Sequence, residues 1–459
     1  MAESSSSGNT HQMKGFSSLK LCVATALIAT LVTNCVNADS GSRRERFEPA
    51  SSVEETFRWH RAHPTTTAWW DTVGEQQAWY FKNLQQLYPS VTVYRDGPVR
   101  ALDRRAMAEI ADYPVETPAG TMRFEDFLHS DQSTTMGMVI LHEGQIVFET
   151  YPRMKPYQKP IYWSITKILV STVLAILEDR GLVDVSKPIE FYIPELKDSQ
   201  LAGIRVRDVL DMASGLDCSD NYENFEACYY RFETSLGDGF RTEGSPDNPY
   251  QMLIDFDYGF WADPGTGFDY SGVNTFLLGW IVEKVTGMPF QDALTREIWR
   301  HIGAEADAAI FAGRYGVPLT SGGLMAKLRD VARFGLLFTP SYEVVSEKKI
   351  ISDRYLETIL YGGRPEILAN ARFSPPPEGV KHNVYQWDAV FDNNDIYKGG
   401  WAGQGLLINP DRDYVAVYTG YFKDAENSEV RPLRILREVL EGVFGDRQPD
   451  ARRKRSNDR

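Results

Sequence analysis

Ser164-Ile165-Thr166-Lys167 sets a hydroxyl and an amine three residues apart at the head of a segment with helical apolar spacing. On a helix, residues i and i+3 share a face, so the lysine nitrogen comes within reach of the serine oxygen. Free N–H groups at a helix N-terminus lie beside the same serine, where an oxyanion would form. This is the chemistry of a hydroxyl nucleophile with an amine base. The spacing alone is common, and an N-capping serine beside a solvated lysine also explains it. A base lysine must moreover be neutral. An ordinary lysine titrates at about 10.4, and lowering it by about three units costs about 4 kcal/mol. Burial and a second nearby cation both push in that direction.

Two further segments offer partners. Gly265-Thr266-Gly267-Phe268-Asp269-Tyr270-Ser271-Gly272 is a glycine-rich loop ahead of a helix-like run at 275–285. A tyrosine projected from such a loop suits a proton relay in a cleft. Lys398-Gly399-Gly400-Trp401-Ala402-Gly403-Gln404 precedes a strand. Its glycines let a substrate lie close to the strand edge. An N–H near Trp401 would complete an oxyanion hole, and Lys398 would supply the second cation. Taken singly, a packed tyrosine and a glycine-rich turn account for these segments as well.

The elements that must position these groups are legible from periodicity. Residues 136–141 and 145–151 form a hairpin turning at His142-Glu143-Gly144. A helix runs from about 164 to 180, with Ile168, Leu169, Val173, Leu174 and Leu177 at helical spacing and Gly181 as its stop. Residues 205–340 read mostly as helical segments and loops, one helix ending at Gly287 and another covering 330–338. Strands return at 405–409 and 414–418, joined by Pro410-Asp411-Arg412-Asp413, and an amphipathic helix covers about 431–444. Strands at both ends of the chain with helices between them predict an α+β fold. Its antiparallel sheet draws on both chain ends, is flanked by helices, and carries a helical insertion.

The whole chain sets outer bounds. Its 459 residues, 42% of them hydrophobic, suffice for one large core or two. A net charge of −14 argues against a nucleic-acid partner. Lys14 and Lys20 precede an uncharged, largely apolar stretch from Leu21 to Ala38, with small residues at Val36-Asn37-Ala38. This pattern predicts an export signal over 1–38 and a periplasmic or secreted protein; an uncleaved membrane anchor is the rival reading. Residues 39–125, rich in aromatics (Trp59, Trp69, Trp70, Trp79, Tyr80), read as an extension packed on a main domain at 126–445. The polar tail 446–459 reads as disordered. Beyond the signal only Cys218 and Cys228 remain, and an exported protein favours their pairing over two separate buried thiols. Seven histidines form no His-Glu-x-x-His, and neither a Gly-x-Ser-x-Gly elbow nor a Walker-type phosphate loop is present. No metal and no cofactor are therefore expected.

The three segments together resemble the serine β-lactamase-like superfamily: class C β-lactamases, penicillin-binding proteins, family VIII esterases and nylon-oligomer hydrolases. The resemblance covers about residues 125–440 and extends past the catalytic triplets. Tyr162-Trp163-Ser164-Ile165-Thr166-Lys167 leads to Leu182-Val183-Asp184 and Pro188, and Ile204 to Leu210 leads to Ala213-Ser214-Gly215-Leu216. Pro264 to Ser271 leads to Leu277-Leu278-Gly279 and on to Gly287, and Ser321-Gly322-Gly323-Leu324 leads to Asp330-Val331-Ala332-Arg333-Phe334-Gly335. More faintly, Tyr88-Pro89-Ser90 and Arg95 to Val99 are similar to the nylon-oligomer branch.

The resemblance implies Ser164 as acylated nucleophile, Lys167 as its base and Tyr270 as the tyrosine of a Tyr-x-Asn motif. The third motif aligns best with Lys398-Gly399-Gly400, and Trp401 follows it. One position departs: the asparagine of Tyr-x-Asn falls on Gly272, and Asn274 comes two residues later. In the β-lactamase members that amide helps to hold the substrate amide and the lysine, so its absence points toward esters or small non-β-lactam amides. The expected function is a serine hydrolase working through an acyl-enzyme on such small molecules. A D,D-peptidase or β-lactamase is the alternative on the same fold. A non-catalytic envelope binding protein is the alternative of another class, since fold does not guarantee activity. Oligomeric state is left open by the sequence. If Lys167 is the proton acceptor, Lys167→Arg should be almost as inactive as Lys167→Ala in an ester-hydrolysis assay, because a guanidinium stays protonated at any working pH.

Overall fold

The computed structural model describes residues 48–64, 69–221, 224–239, 241, 243–373 and 376–445. The expected export signal and the expected disordered tail lie outside the described residues. The described residues from Pro49 onward belong to one compact unit. No helix among the described residues is long and apolar enough to cross a membrane.

The strands, in chain order, are β1 (Ser90–Val93), β2 (Pro114–Thr117), β3 (Gly120–Arg123), β4 (Gly137–His142), β5 (Gln145–Thr150), β6 (Ala308–Phe311), β7 (Leu324–Met325), β8 (Val380–Val384), β9 (Trp387–Phe391), β10 (Ile396–Gly400), β11 (Gln404–Asn409) and β12 (Tyr414–Thr419). Seven form one antiparallel sheet in the order β5-β4-β12-β11-β10-β9-β8. The two chain ends meet where β12 pairs with β4, Tyr414 opposite His142 and Thr419 opposite Gly137. The α+β expectation of a sheet drawn from both ends therefore holds. The β4–β5 hairpin closes through Glu143 and Gly144, both at positive φ (51° and 76°), as a two-residue turn matched to strand twist requires.

β4, β11 and β12 are buried along their whole length because both faces of the sheet are covered. Side chains alternate between two cores. Met138, Ile140, Leu407, Ala416 and Tyr418 face a helix α6 (Pro432–Phe444) through Ile435, Leu436, Val439 and Leu440. Val139, Leu141, Leu406, Ile408, Val415 and Val417 face the larger core. That core holds α1 (Gly74–Asn83), α2 (Thr166–Asp179), α4 (Gly272–Thr286) and α5 (Leu328–Leu336), with α3 (Cys228–Ser235) at its margin. α2 is buried from Thr166 to Leu177 on every side, so it is a central helix and not an amphipathic one.

Three expectations need correction. Residues 205–340 are not only helices and loops: β6 and β7 lie there and join β1 from the N-terminal segment in a three-stranded sheet. Strands of four and two residues leave too little alternation to be seen in sequence. The helix expected from Ser164 starts as an α-helix only at Thr166, after a 3-10 turn at Trp163–Ile165. Lys398 to Gly400 precede β11, as expected, but they are not a loop: they form the end of β10.

α5 crosses β12 closely enough that a Cβ on Gly335 would lie 2.5 Å from Val415 Cγ1 and 3.3 Å from Leu406 Cδ1. Both neighbours are fully buried and cannot swing aside. Gly335→Ala should therefore lose about 1–3 kcal/mol in urea unfolding, although alanine is the better helix former. An unchanged or raised midpoint would show that helix and sheet separate at no cost.

Candidate active site

Ser164 sits in a turn held on both sides. Tyr162 N donates to Leu324 O of β7 at 2.8 Å. Thr166 Oγ1 donates to Trp163 O at 2.6 Å and accepts from Leu324 N at 2.9 Å. Between them Trp163 has φ +48°, a left-handed conformation that costs a bulky residue energy and persists only where its surroundings impose it. The turn thus presents Ser164 at the head of α2, with Lys167 on the first helical turn. Lys167 Nζ lies 3.3 Å from Ser164 Oγ and donates to Ser321 O at 2.7 Å.

Lys167 is almost wholly buried. Burial is the main cause that brings its amine down to about 8; Asp220 pulls it back up, and the charge on Lys398 adds to the lowering. An amine with that value is mainly protonated at pH 7 but keeps about a tenth of its population as the free base that can accept a proton. Tyr270 stands between the two lysines. Its ring centroid is 4.9 Å from Lys167 Nζ and 4.7 Å from Lys398 Nζ, and its hydroxyl accepts from Lys398 at 2.9 Å. Lys398 is fully buried, its amine lowered by burial and held up by an ion pair with Asp388.

Ser164, Lys167, Tyr270 and Lys398, far apart along the chain, lie together in space. Gly400 lets β10 run against the chain preceding Ser164, since a Cβ there would collide with Tyr162 O. Trp401, 42% exposed, forms one wall of the cleft. The Gly399 N–H is committed to Asp388 Oδ2 at 2.8 Å. Cys218 and Cys228 are joined in a disulfide. Asn274 is buried inside α4 with its amide on Met212 Sδ, and is not among the residues lining the cleft.

Several residues of the site were not singled out from sequence. Asp388 carried a usable signal: in the β9–β10 register Tyr397 faces Ala389, so the next pair sets Asp388 opposite Lys398, opposite charges across a short hairpin. Ser321 belongs to a recognised Ser-Gly-Gly-Leu run, but nothing local says that its carbonyl meets a lysine 154 positions away. Trp70, Tyr229, Glu233 and Asp238 complete the lining of the cleft around Ser164. Burial, then the neighbouring Asp238, raises Glu233 to about 8, and burial also raises the Asp220 carboxyl. No group of metal-ligating side chains is assembled among the described residues.

Comparison with known proteins agrees with this geometry. The Beta-lactamase family model matches residues 121–437. The 6-aminohexanoate-dimer hydrolase of Paenarthrobacter ureafaciens is 28% identical over 367 residues, covering 79% of this chain and 89% of that protein. The N-acetylmuramyl-L-alanine amidase of Bacillus subtilis is 30% identical over 166 residues, 35% of each chain. Among solved structures, one from Bacillus anthracis assigned to the 6-aminohexanoate-dimer hydrolases superposes with a TM-score of 0.69 at 21% identity, covering 82% of this chain and 95% of the other. EstCE1, a hydrolase with promiscuous acyltransferase activity, gives a TM-score of 0.53 at 14% identity over 70% of this chain and 96% of its own. These two likenesses concern the fold. With a family model spanning well over half of its length, and with a serine beside a buried lysine whose amine lies over a tyrosine ring, the chain belongs to the Beta-lactamase family.

Proposed function

We propose that the protein hydrolyses small linear amides and esters through an acyl-enzyme on Ser164. The observation that carries this reading is the 3.3 Å contact between Ser164 Oγ and a buried Lys167 amine lowered to about 8. Neutral Lys167 accepts the Ser164 proton as Oγ attacks the substrate carbonyl. The backbone N–H groups of Ser164 and Trp401 receive the oxyanion. Tyr270, polarised by Lys398, passes a proton to the leaving group, and water then cleaves the Ser164 ester by the reverse sequence of proton transfers.

Glu233 and Asp238 give the cleft an acidic side. Glu233, raised to about 8, is mostly protonated at neutral pH, and an ammonium beside it would draw it back to carboxylate. A substrate with a free amine fits that side, and the Paenarthrobacter relative is named for a dimer of an amino acid. The disulfide between Cys218 and Cys228 suits an exported protein working in an oxidising compartment.

Three measurements test the reading. A fluorophosphonate probe should label Ser164, and Ser164→Ala should abolish both labelling and turnover while the protein stays folded. Labelling that survives the substitution excludes Ser164 as nucleophile. Because the active base is the deprotonated amine, kcat/KM should rise about tenfold per pH unit below the Lys167 value and level off above about 8. A flat profile between pH 6 and 9 would remove Lys167 from that role. Lys398 acts from a fixed place because Asp388 balances its charge. Asp388→Asn leaves a fully buried ammonium without its partner and should cost about 3 kcal/mol in urea unfolding. Lys398→Met leaves a carboxylate whose side chain is 30% exposed and still accepts from Gly399, and should cost less. The opposite order would refute this account of the pair.

A further inference from the structure

Gly272 stands at the first position of α4, two residues after Tyr270. The space above it is taken. A Cβ built on Gly272 would lie 2.5 Å from the Tyr229 hydroxyl oxygen, 2.7 Å from its Cε2 and 3.0 Å from its Cζ. Not even a methyl group fits there while Tyr229 stays in place. Tyr229 is 2% exposed, yet its ring also forms part of the cleft wall with Ser164 and Lys167.

The surroundings prevent that ring from swinging away. Tyr229 lies on the first turn of α3, directly after Cys228, whose disulfide leads to Cys218. The segment following Cys218 grips the loop that carries Gly272. Ser271 Oγ donates to Cys218 O at 2.5 Å, Asp220 N donates to Tyr270 O at 3.2 Å, and Gly272 N donates to Asp220 Oδ1 at 2.6 Å. The Tyr229 hydroxyl is hydrogen-bonded to Glu233 one turn along the same helix, and its ring packs on Phe232. Tyr229 and Gly272 are thus fixed to one another through a shared covalent and hydrogen-bonded frame.

We propose that Tyr229 is the specificity-determining residue of this cleft: interlocked with Gly272, its ring fills the space beside Lys167 and restricts the acyl site to narrow, unbranched groups. This rests on the reading of Ser164 as the acylated nucleophile. A substrate branched next to its carbonyl would need the volume that the phenol occupies, and close-packed surroundings do not yield that volume cheaply. Removing the ring and keeping the nucleophile opens it. The hydroxyl matters less than the ring in this respect, which separates the proposal from a purely hydrogen-bonding role.

The test compares p-nitrophenyl butyrate with p-nitrophenyl pivalate in the parent, Tyr229→Phe, Tyr229→Leu and Tyr229→Ala proteins, each also titrated with a fluorophosphonate. The parent should prefer butyrate. Tyr229→Phe should keep that preference within about threefold. Tyr229→Ala should shift the pivalate-to-butyrate ratio of kcat/KM by roughly tenfold or more toward pivalate, with Tyr229→Leu between them. Gly272→Ala should impair folding or turnover alone and recover when combined with Tyr229→Ala. Should Tyr229→Ala fail to fold, the Leu variant and the double variant decide the matter. A ratio unchanged in Leu and Ala variants that still bind the probe at Ser164 overturns the proposal. A parent whose Ser164 does not react with the probe overturns the underlying reading instead.

Discussion

A lysine amine kept out of water within reach of a serine hydroxyl is the constraint around which this structure is arranged. An ammonium buried alone is costly, and the protein meets that cost by letting the group lose its proton with ease. Lys167 is lowered to about 8 by burial, and the opposing pull of Asp220 stops it from falling further. A second lysine in the same interior adds to the problem, and here the solution differs. Lys398 retains a partner, Asp388, so its charge is available to Tyr270 without being left uncompensated. One lysine is tuned by solvent exclusion and the other by pairing, and Tyr270 lies between them.

Holding that arrangement requires rigidity on both sides of the cleft. On one side α2 is enclosed by apolar side chains, and the turn before it is stitched to β7 tightly enough to keep Trp163 in a left-handed conformation. On the other side β10 belongs to an antiparallel sheet covered on both faces, so its edge and the residue after it cannot drift. Gly400 allows the two sides to approach, and Tyr162 O occupies the room that a side chain there would need. The N-terminal segment is part of the same construction. Trp70 reaches the cleft, its carbonyl accepts from Gln77, and Gln77 in turn accepts from the backbone of Phe422, whose ring meets Trp401 edge-on.

The second wall illustrates how a departure from a motif acquires meaning. Read along the chain, Gly272 is only the absence of an amide. In space it is the clearance for Tyr229, and Tyr229 belongs to a helix whose Glu233 and disulfide give the cleft its character. Asn274, the apparent substitute in sequence, is taken up by the interior of α4 and its contact with Met212.

The sequence by itself determined the periodic elements and the local spacing of the reactive groups. The hairpin at 137–150, the paired strands β11 and β12, the central helix and the Ser164-x-x-Lys167 contact all depend on residues within a few turns of one another, where alternation and helical spacing report directly on structure. Even the Asp388–Lys398 pair was present in a hairpin register. The short strands β6 and β7, the carbonyl of Ser321 on Lys167, the acidic side formed by Glu233 and Asp238, and the interlock of Tyr229 with Gly272 were decided only by tertiary structure. These contacts join segments tens to hundreds of positions apart, and what fixes them is which surfaces pack together and exclude water. Neither the steric room at Gly272 nor the desolvation that sets Lys167 near 8 is a property of any stretch of chain; both arise only when the surrounding layers close.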